Sequence, residues 1–386
     1  MKRVLQISKY YYPFLGGTEQ VARDIARALS DCSDIEQKII CFNEDACDES
    51  IICHKNETVH DYVDGVEVVR CGYELKISSQ AISLSYQKEL EKLMNDFNPD
   101  VIIFHYPNPF VTHFLLKFKK RNFKLYVYWH LDITKQRVLK HLFNKQNKDL
   151  IKRADKVVGA TPIHLNESAY SAEMDKKKYI LPYTIDEQNL QITKEEVLKA
   201  NDIRERNANK TICFAMGRHV PYKGFRYLID AASKLDDNYI FFIAGSGELT
   251  DELKAQASGN SNVVFLGRIS DSDRRVYLQA CDIFCFPSIT RNEGFGLALA
   301  EAMYFGVPGV TFHITGSGVN YVNLDGVTGI ECPNSDSNDY SEAIKKLAND
   351  NVLRKKYGEA ARKRVLDNFT EENFKKNIQR LLNMEY

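Results

Sequence analysis

Residues 290–302 read TRNEGFGLALAEA and place two carboxylates, Glu293 and Glu301, eight positions apart. Between them stand Gly294, Phe295, Gly296 and Leu297, then small aliphatic residues. Two acids at this spacing serve as a solvated face, as two catalytic groups, or as one group for each end of an elongated ligand. The preceding DIFCFPS is strand-like, so a helix beginning near Gly296 leaves Glu293 in the loop and carries Glu301 about one and a half turns in. Backbone N–H groups from Phe295 to Ala298 then lack intrahelical acceptors and suit phosphate oxygens. This favours the third reading: a carboxylate for one end of a ligand, donors for a phosphate, a carboxylate for the other end.

Two cations have a related setting. In MGRHVPYKG, Arg218 and Lys223 flank a short loop that follows a strand-like run and feeds a helix, a placement suited to a diphosphate. As an isolated pair they would read equally as solvated charges. Near the N-terminus, Gly16 and Gly17 close SKYYYPFLGG just before a helix-like stretch, where a backbone can approach an anion. The pattern is not G-x-G-x-x-G, so the dinucleotide fingerprint is missing, and a tight turn is the plain alternative. AGSGE (244–248) and Gly267 are further glycines at strand ends.

The elements that must hold these residues alternate. RVLQIS, QKIICF, VEVVRC, VIIFHY, KLYVYW and KVVGA read as strands separated by amphipathic stretches, one carrying Ile82, Tyr86, Leu90, Leu93 and Phe97 at helical spacing. After a polar stretch the alternation restarts with TICFAMG, YIFFIAG, VVFLG, DIFCFPS, GVTFHI and GIECP. Continuous apolar strands between helices imply parallel sheets covered on both faces. The fold class is α/β, with two Rossmann-like doubly wound domains facing across a cleft. The expected boundaries are a first domain over 1–190, a linker over the apolar-poor 191–210, a second domain over 211–368, and a C-terminal helix over 369–386 that crosses back to the first domain. Thr370 is placed to N-cap that helix.

Composition narrows the classes. Lysine plus arginine and aspartate plus glutamate number 52 each, so the global basic excess of a nucleic-acid protein is missing. Nine cysteines in 386 residues argue against a disulfide framework, and Cys41, Cys47, Cys53 and His54 fit no zinc spacing. Met1 leads directly into a strand-like run, and the most apolar window contains prolines and histidines. A cytoplasmic protein without a membrane span is expected.

Three features in register carry a specific resemblance: Gly16-Gly17, Arg218 with Lys223-Gly224, and the E-x7-E element from Glu293 to Glu301. Over residues 3 to about 383 the chain resembles the retaining GT-B glycosyltransferases of the large family four group. The resemblance implies that Glu301 holds the ribose hydroxyls of a nucleotide and Glu293 the hydroxyls of the donor sugar. Arg218 and Lys223 neutralise the departing diphosphate, so neither a metal nor another cofactor is implied. The backbone near Arg268 meets the base, and Gly16, Gly17 and Gly294 to Leu297 line the donor site. A histidine of the first domain stands beside the reacting centre. His130 in YVYWHLD fits that position best and His105 in IIFHYPNP competes, with a packed histidine as the plain alternative for each. Asp132 either orients His130 or caps the next turn.

The implied donor is a UDP- or GDP-sugar. From Lys117 to Lys156 there are 13 lysines and arginines against 3 acidic residues, with Phe110, Phe114, Leu115, Leu116, Phe118 and Phe123 among or just before the first of them. The plain reading is an ordinary basic face. The sharper reading is a patch resting on an anionic membrane surface, with a lipid-linked saccharide of bacterial surface-polysaccharide assembly as acceptor and the protein peripheral to the inner leaflet. The rival readings are a GT-B nucleotide-sugar epimerase and a catalytically silent GT-B binding subunit.

Overall fold

The structure, a computed structural model, describes residues 1–14, 16–47, 51–77, 80–118, 122–132 and 137–382. The chain forms two compact units, Met1–Pro182 with Phe374–Tyr386, and Tyr183–Asn373.

The first unit is built on an eight-stranded sheet. Its strands are β1 (Lys2–Ile7), β2 (Ile35–Phe42), β3 (Val59–Val63), β4 (Val66–Cys71), β5 (Val101–Tyr106), β6 (Lys124–Trp129), β7 (Lys156–Gly159) and β8 (Lys178–Ile180). The order is β8-β7-β6-β5-β1-β2-β4-β3. All neighbours are parallel except β3, which runs antiparallel to β4. Asp64 and Gly65, both at positive φ, form the tight turn between them, the conformation an Asp-Gly pair accepts most readily in a two-residue hairpin. Side chains alternate across the central strands. Phe104, Tyr106 and Trp129 enter the main core, with Tyr106 stacked on Trp129 at 3.7 Å. His105, Tyr128 and His130 form a second, stacked layer. The helical spacing expected from Ile82 to Phe97 is realised only in part: Ile82 closes a short hairpin, Leu84–Lys92 is α-helical, and Leu93–Phe97 is a π-helical turn. From Phe374 onward the chain packs on this unit through Lys375 to Asp31 at 2.9 Å and Tyr179 Oη to the Asn377 carbonyl at 2.8 Å.

The second unit carries a six-stranded parallel sheet of β9 (Thr211–Met216), β10 (Tyr239–Ala244), β11 (Val263–Gly267), β12 (Ile283–Phe286), β13 (Gly309–Phe312) and β14 (Gly329–Cys332). Its order is β11-β10-β9-β12-β13-β14. The order reverses beside β9, and in such sheets ligands sit beyond the carboxyl ends of the strands near that point.

The expected linker over 191–210 is instead mostly one helix, α1 (Lys194–Arg206), which belongs to the second unit. Thr193 and Glu196 form a capping box at its start. The helix is apolar-poor because its anchor is ionic. Glu196 is buried, accepts from Arg275 Nη2 at 2.6 Å and Ser272 Oγ at 2.6 Å, and sits beside the small contact of Ala200 with Val276 and Ala280. The first unit accordingly ends at Pro182 rather than at residue 190. Thr370 Oγ1 accepts from the Asn373 N–H at 3.2 Å, a cap on the last helix, Glu371–Leu381.

Candidate active site

In the second unit the loops after β9, β10 and β12 crowd together, and glycines allow it. A Cβ on Gly224 would collide with the Pro287 carbonyl, and one on Gly245 with the Gly217 carbonyl. Both residues also take positive φ, which disfavours any side chain. The chain rises from this floor into a short helical turn, Pro221–Lys223, and then the helix Phe225–Ala232.

Lys223 and Glu293, 70 residues apart in sequence, meet here. The Lys223 ammonium donates to Oε2 of Glu293, and Ser288 Oγ donates to the same oxygen at 3.2 Å. Both side chains are largely buried, at 14% and 13% exposure, and Lys223 also lies 5.1 Å from the Phe286 ring centroid. The Glu293 backbone is fixed from a third side, since Ser317 Oγ donates to its carbonyl at 2.5 Å. Ser317 itself is fully buried. Arg218 is exposed on the same loop, its Nη2 3.4 Å from Tyr222 Oη. Arg268 is exposed after β11 and donates from Nε to Ser246 Oγ at 2.9 Å.

Gly296 takes φ +93 and opens the helix Leu297–Tyr304, as expected from the sequence. Leu297 and the residues after it thus start a helix whose first N–H groups have no intrahelical acceptor. Phe295 is buried, its ring 5.2 Å from Tyr183 and 5.1 Å from Phe369, so only its backbone is offered to a ligand. Glu301 lies on the helix with its side chain 17% exposed. Burial raises its carboxyl pKa, the Arg274 guanidinium at 3.4 Å opposes that shift, and Asp271 and Asp186 add to it. Arg274, in the helix Asp271–Ala280, was not singled out from sequence. Its charge sits in the polar run DSDRR, where nothing distinguishes it from a solvated cation.

In the first unit the two competing histidines prove to be neighbours. His105 Nδ1 lies 3.0 Å from His130 Nε2, and His105 Nε2 lies 3.1 Å from Oε1 of Gln6. All three are buried. Burial pulls the His105 pKa down to about 3. It also holds His130 well below the usual imidazole range, with His105 and His164 adding to the shift. The Asp132 carboxylate accepts from Trp129 Nε1 at 2.8 Å, Ser168 Oγ at 2.8 Å and the Ala169 N–H at 2.9 Å, while the turn it was expected to cap lies outside the described residues. Gly16 precedes the helix Gly17–Ser30, and a Cβ there would collide with the Glu19 carboxylate, whereas one on Gly17 would meet open space.

The basic stretch is thinner than its sequence. Lys119, Lys120 and Arg121 lie outside the described residues. Lys124 pairs with Asp155 at 3.3 Å, Lys148 with Glu173 at 2.7 Å, and Arg153 donates to the Phe123 carbonyl at 3.0 Å. Leu115 and Phe123 are buried in the core, with Phe110, Phe114 and Phe118 packed against it. Lys145 and Lys152 remain exposed. Among the described residues no helix is long and apolar enough to cross a membrane, and no three His, Cys, Asp or Glu side chains are grouped to hold a metal ion.

The second unit is a doubly wound parallel sheet with Arg218, Lys223 and Glu293 in the loops after its strands and Glu301 on the helix that follows β12, an arrangement that the comparisons place in a family. Residues 15–169 match the family described as Glycosyltransferase Family 4, and residues 198–364 match Glycosyl transferases group 1. The chain is 30% identical over 350 residues to D-rhamnosyltransferase WbpZ of Pseudomonas aeruginosa, covering 89% of this chain and 86% of that protein. It is 29% identical over 374 residues to O-antigen chain mannosyltransferase C of Escherichia coli, covering 96% and 95%. Among solved structures, sucrose-phosphate synthase from Thermosynechococcus elongatus superposes with a TM-score of 0.78 at 17% identity over 99% of this chain and 98% of that one. Anabaena HepE in complex with UDP and glucose gives 0.76 at 16% identity over 99% and 100%. The chain belongs to the group 1, family 4 glycosyltransferases.

Proposed function

We propose that this protein transfers a hexose, with retention of the α configuration, from a UDP- or GDP-linked donor to a hydroxyl of a lipid-linked saccharide during O-antigen, capsule or exopolysaccharide biosynthesis. The observation that carries the reading is the contact of Lys223 with Glu293, with Arg218 on the same loop as Lys223 and Glu301 eight residues beyond Glu293. Glu301 accepts from the ribose hydroxyls, and Glu293 accepts from hydroxyls of the sugar. The helix N–H groups and the two cations hold the diphosphate. As the sugar–phosphate bond breaks, charge grows on the leaving phosphate, and Arg218 and Lys223 are pre-placed to stabilise it in the role a metal plays elsewhere. The leaving phosphate takes the acceptor proton, so no protein base or covalent nucleophile is required. The names of the mannosyl- and rhamnosyltransferase relatives and the UDP and glucose held by HepE support a sugar nucleotide as donor.

Thermal-shift screening of UDP- and GDP-sugars selects the donor. Incubation with donor and a polyprenyl-diphosphate saccharide, followed by NMR of the product anomer, tests the reaction. An inverted product sinks the retaining mechanism. An epimerised donor in the absence of acceptor supports the epimerase reading. Sugar-nucleotide binding without turnover on any acceptor supports the binding-subunit reading.

A further inference from the structure

We propose that Ser288 and Ser317 are positioning residues that hold Glu293 with its Oε2 committed to Lys223, so that Oε1 alone is presented to the donor sugar. The inference rests on the reading above that Glu293 accepts from that sugar, and every residue it uses belongs to the second unit.

The need for such residues begins with the sequence. Glu293 stands between Asn292 and Gly294 in a loop outside any helix or strand. Glycine gives the adjoining backbone wide freedom, and a glutamate side chain has several rotatable bonds of its own. A carboxylate left in that state would have to be ordered by the ligand it binds.

The structure orders it in advance, at three points. The Glu293 N–H donates to the Thr290 carbonyl at 3.1 Å and closes a turn. Ser317 Oγ donates to the Glu293 carbonyl at 2.5 Å, and accepts from the Val319 N–H at 3.2 Å, which leaves its proton for Glu293. The loop that carries Ser317 is clamped by Asn320, whose Oδ1 accepts from the Ile314 N–H at 2.8 Å and whose Nδ2 donates to the Phe312 carbonyl at the end of β13, 3.1 Å away. Ser288 supplies the third point, donating from Oγ to Oε2 of Glu293 at 3.2 Å. It is 1% exposed and lies two residues past β12. There the Ile289 N–H donates to the Tyr222 carbonyl at 2.9 Å, and Gly224 leaves room for the Pro287 carbonyl. The turn carrying Lys223 and the loop carrying Ser288 are thereby joined, and both donors reach the same oxygen.

The two carboxylate oxygens are therefore unequal. Oε2 takes Lys223 and Ser288, whereas Oε1 has no partner among the described residues and is not enclosed. An ammonium carries three N–H donors, so Lys223 holds Glu293 and keeps donors for an anion. A sugar hydroxyl that meets Oε1 meets an acceptor already in place, without the cost of ordering it.

The test separates the sugar from the nucleotide. Calorimetry with GDP-mannose and UDP-glucose as probes, and free GDP and UDP as references, reads both contacts. Ser288→Ala and Ser317→Ala should each weaken the sugar nucleotide that binds by about five- to tenfold, the worth of one hydrogen bond, and leave the matching free nucleotide nearly unchanged. General damage to the unit would weaken both ligands alike and overturns the positioning role. Glu293→Gln keeps the shape of the side chain, but Lys223 and Ser288 both donate, so the carboxamide oxygen turns to them and its NH₂ group faces the sugar. That variant should lose as much affinity for the sugar nucleotide as Glu293→Ala. In the Glu293→Ala background, Ser288→Ala should have no further effect. With Glu293→Ala impaired, a Glu293→Gln variant that binds like the parent, or a Ser288→Ala loss that persists undiminished without Glu293, overturns the positioning and leaves the sugar contact standing. If Glu293→Ala itself changes nothing, or neither probe binds more tightly than its free nucleotide, the sugar contact of Glu293 fails and the proposal falls with it.

Discussion

Arg274 Nη1 lies 3.4 Å from Oε1 of Glu301, which joins a helix that follows β11 to the helix that follows β12. Arg274 Nη2 also reaches Asp271 at 3.3 Å, and its Nε is buried without a partner among the described residues. The guanidinium therefore works against the burial that pushes the Glu301 carboxyl up. A ribose hydroxyl needs the ionised form as its acceptor, so the two residues should act together on nucleotide affinity.

Glu301→Ala should raise the Kd of free UDP or GDP, whichever binds, by about 10- to 100-fold, as expected for a charged hydrogen bond of roughly 1.5–3 kcal/mol. Arg274→Met removes a cation that faces Glu301 and leaves Asp271 and Asp186, which both raise its pKa. Nucleotide affinity in that variant should fall as pH drops from 8 to 6, more steeply than in the parent. Calorimetry checks both, and an affinity that ignores Glu301 contradicts its assignment to the ribose.

Arg218→Ala and Lys223→Met should each lower kcat by on the order of 10²–10³ with smaller effects on KM, by analogy with loss of an oxyanion donor. Lys223→Met carries a second cost, because Glu293 then loses the cation that holds it. EDTA should leave the parent rate unchanged. A rate that collapses with EDTA and returns with one divalent ion would show that the two side chains do not suffice.

Much of this site was legible because its chemistry is local. Glu293, Gly296 and Glu301 fall within nine residues, and a strand followed by a helix is enough to place all three. The partners were not legible because they arrive from elsewhere in the chain. Ser317 reaches the Glu293 carbonyl from 24 residues away, and Gln6 reaches His105 from 99. The helix Lys194–Arg206 was missed for a different reason: an apolar period was sought, and its anchor is a carboxylate. The β3–β4 hairpin could have been found, since VHDYV and VEVVRC flank an Asp-Gly pair.

That carboxylate anchor makes a stability prediction. Arg275, Ser272 and the Thr193 N–H pull the Glu196 pKa down to about 2. Arg275→Met strands a buried carboxylate and should lower the unfolding free energy of the second unit by on the order of 3 kcal/mol. The depressed pKa adds stability above about pH 4.3, and that stability is lost as pH falls toward 2. Urea unfolding of parent and variant at pH 7 measures the first effect, and the gap between them should narrow at pH 3. An unchanged midpoint at pH 7 would contradict the pairing.

The histidine pair predicts a slope of the same sign at higher pH. Both folded-state pKa values lie below the unfolded value near 6.5, so between the two the unfolded chain binds more protons. The stability this confers is complete above pH 6.5 and lost as pH falls from there toward the folded values. Each histidine should contribute about 1.5 kcal/mol of that loss between pH 6.5 and 5. Among the described residues Tyr128 stacks on both rings, and His164 faces His130 from another element and deepens its shift. Denaturation of the parent and of His105→Asn at both pH values should show a shallower slope in the variant; equal slopes would mean the buried pair is not neutral.

Attachment to a membrane is the remaining expectation, and the structure alters how it should work. The aromatic residues around Lys117 pack in or against the core, so they offer no wedge into a bilayer. Lys124, Lys148 and Arg153 are engaged within the fold. What is left is electrostatic, and includes exposed Lys117, Lys145 and Lys152 together with Lys119, Lys120 and Arg121 beyond the described residues. Each cation near an anionic surface adds about 1 kcal/mol, so a handful suffices for reversible binding and none of it persists at high salt. In flotation assays the protein should rise with vesicles containing anionic lipid, stay down with neutral vesicles, and detach between roughly 0.1 and 0.5 M salt as the Debye length shrinks. Changing Lys117, Lys119, Lys120 and Arg121 to Ser should abolish flotation while leaving nucleotide affinity intact, because those residues belong to the first unit whereas Glu301 and Arg218, proposed for the nucleotide, belong to the second. Flotation that survives high salt would require an apolar attachment that the packing of Phe110, Phe114 and Phe118 does not supply. Indifference to lipid charge would reduce the stretch to an ordinary basic face.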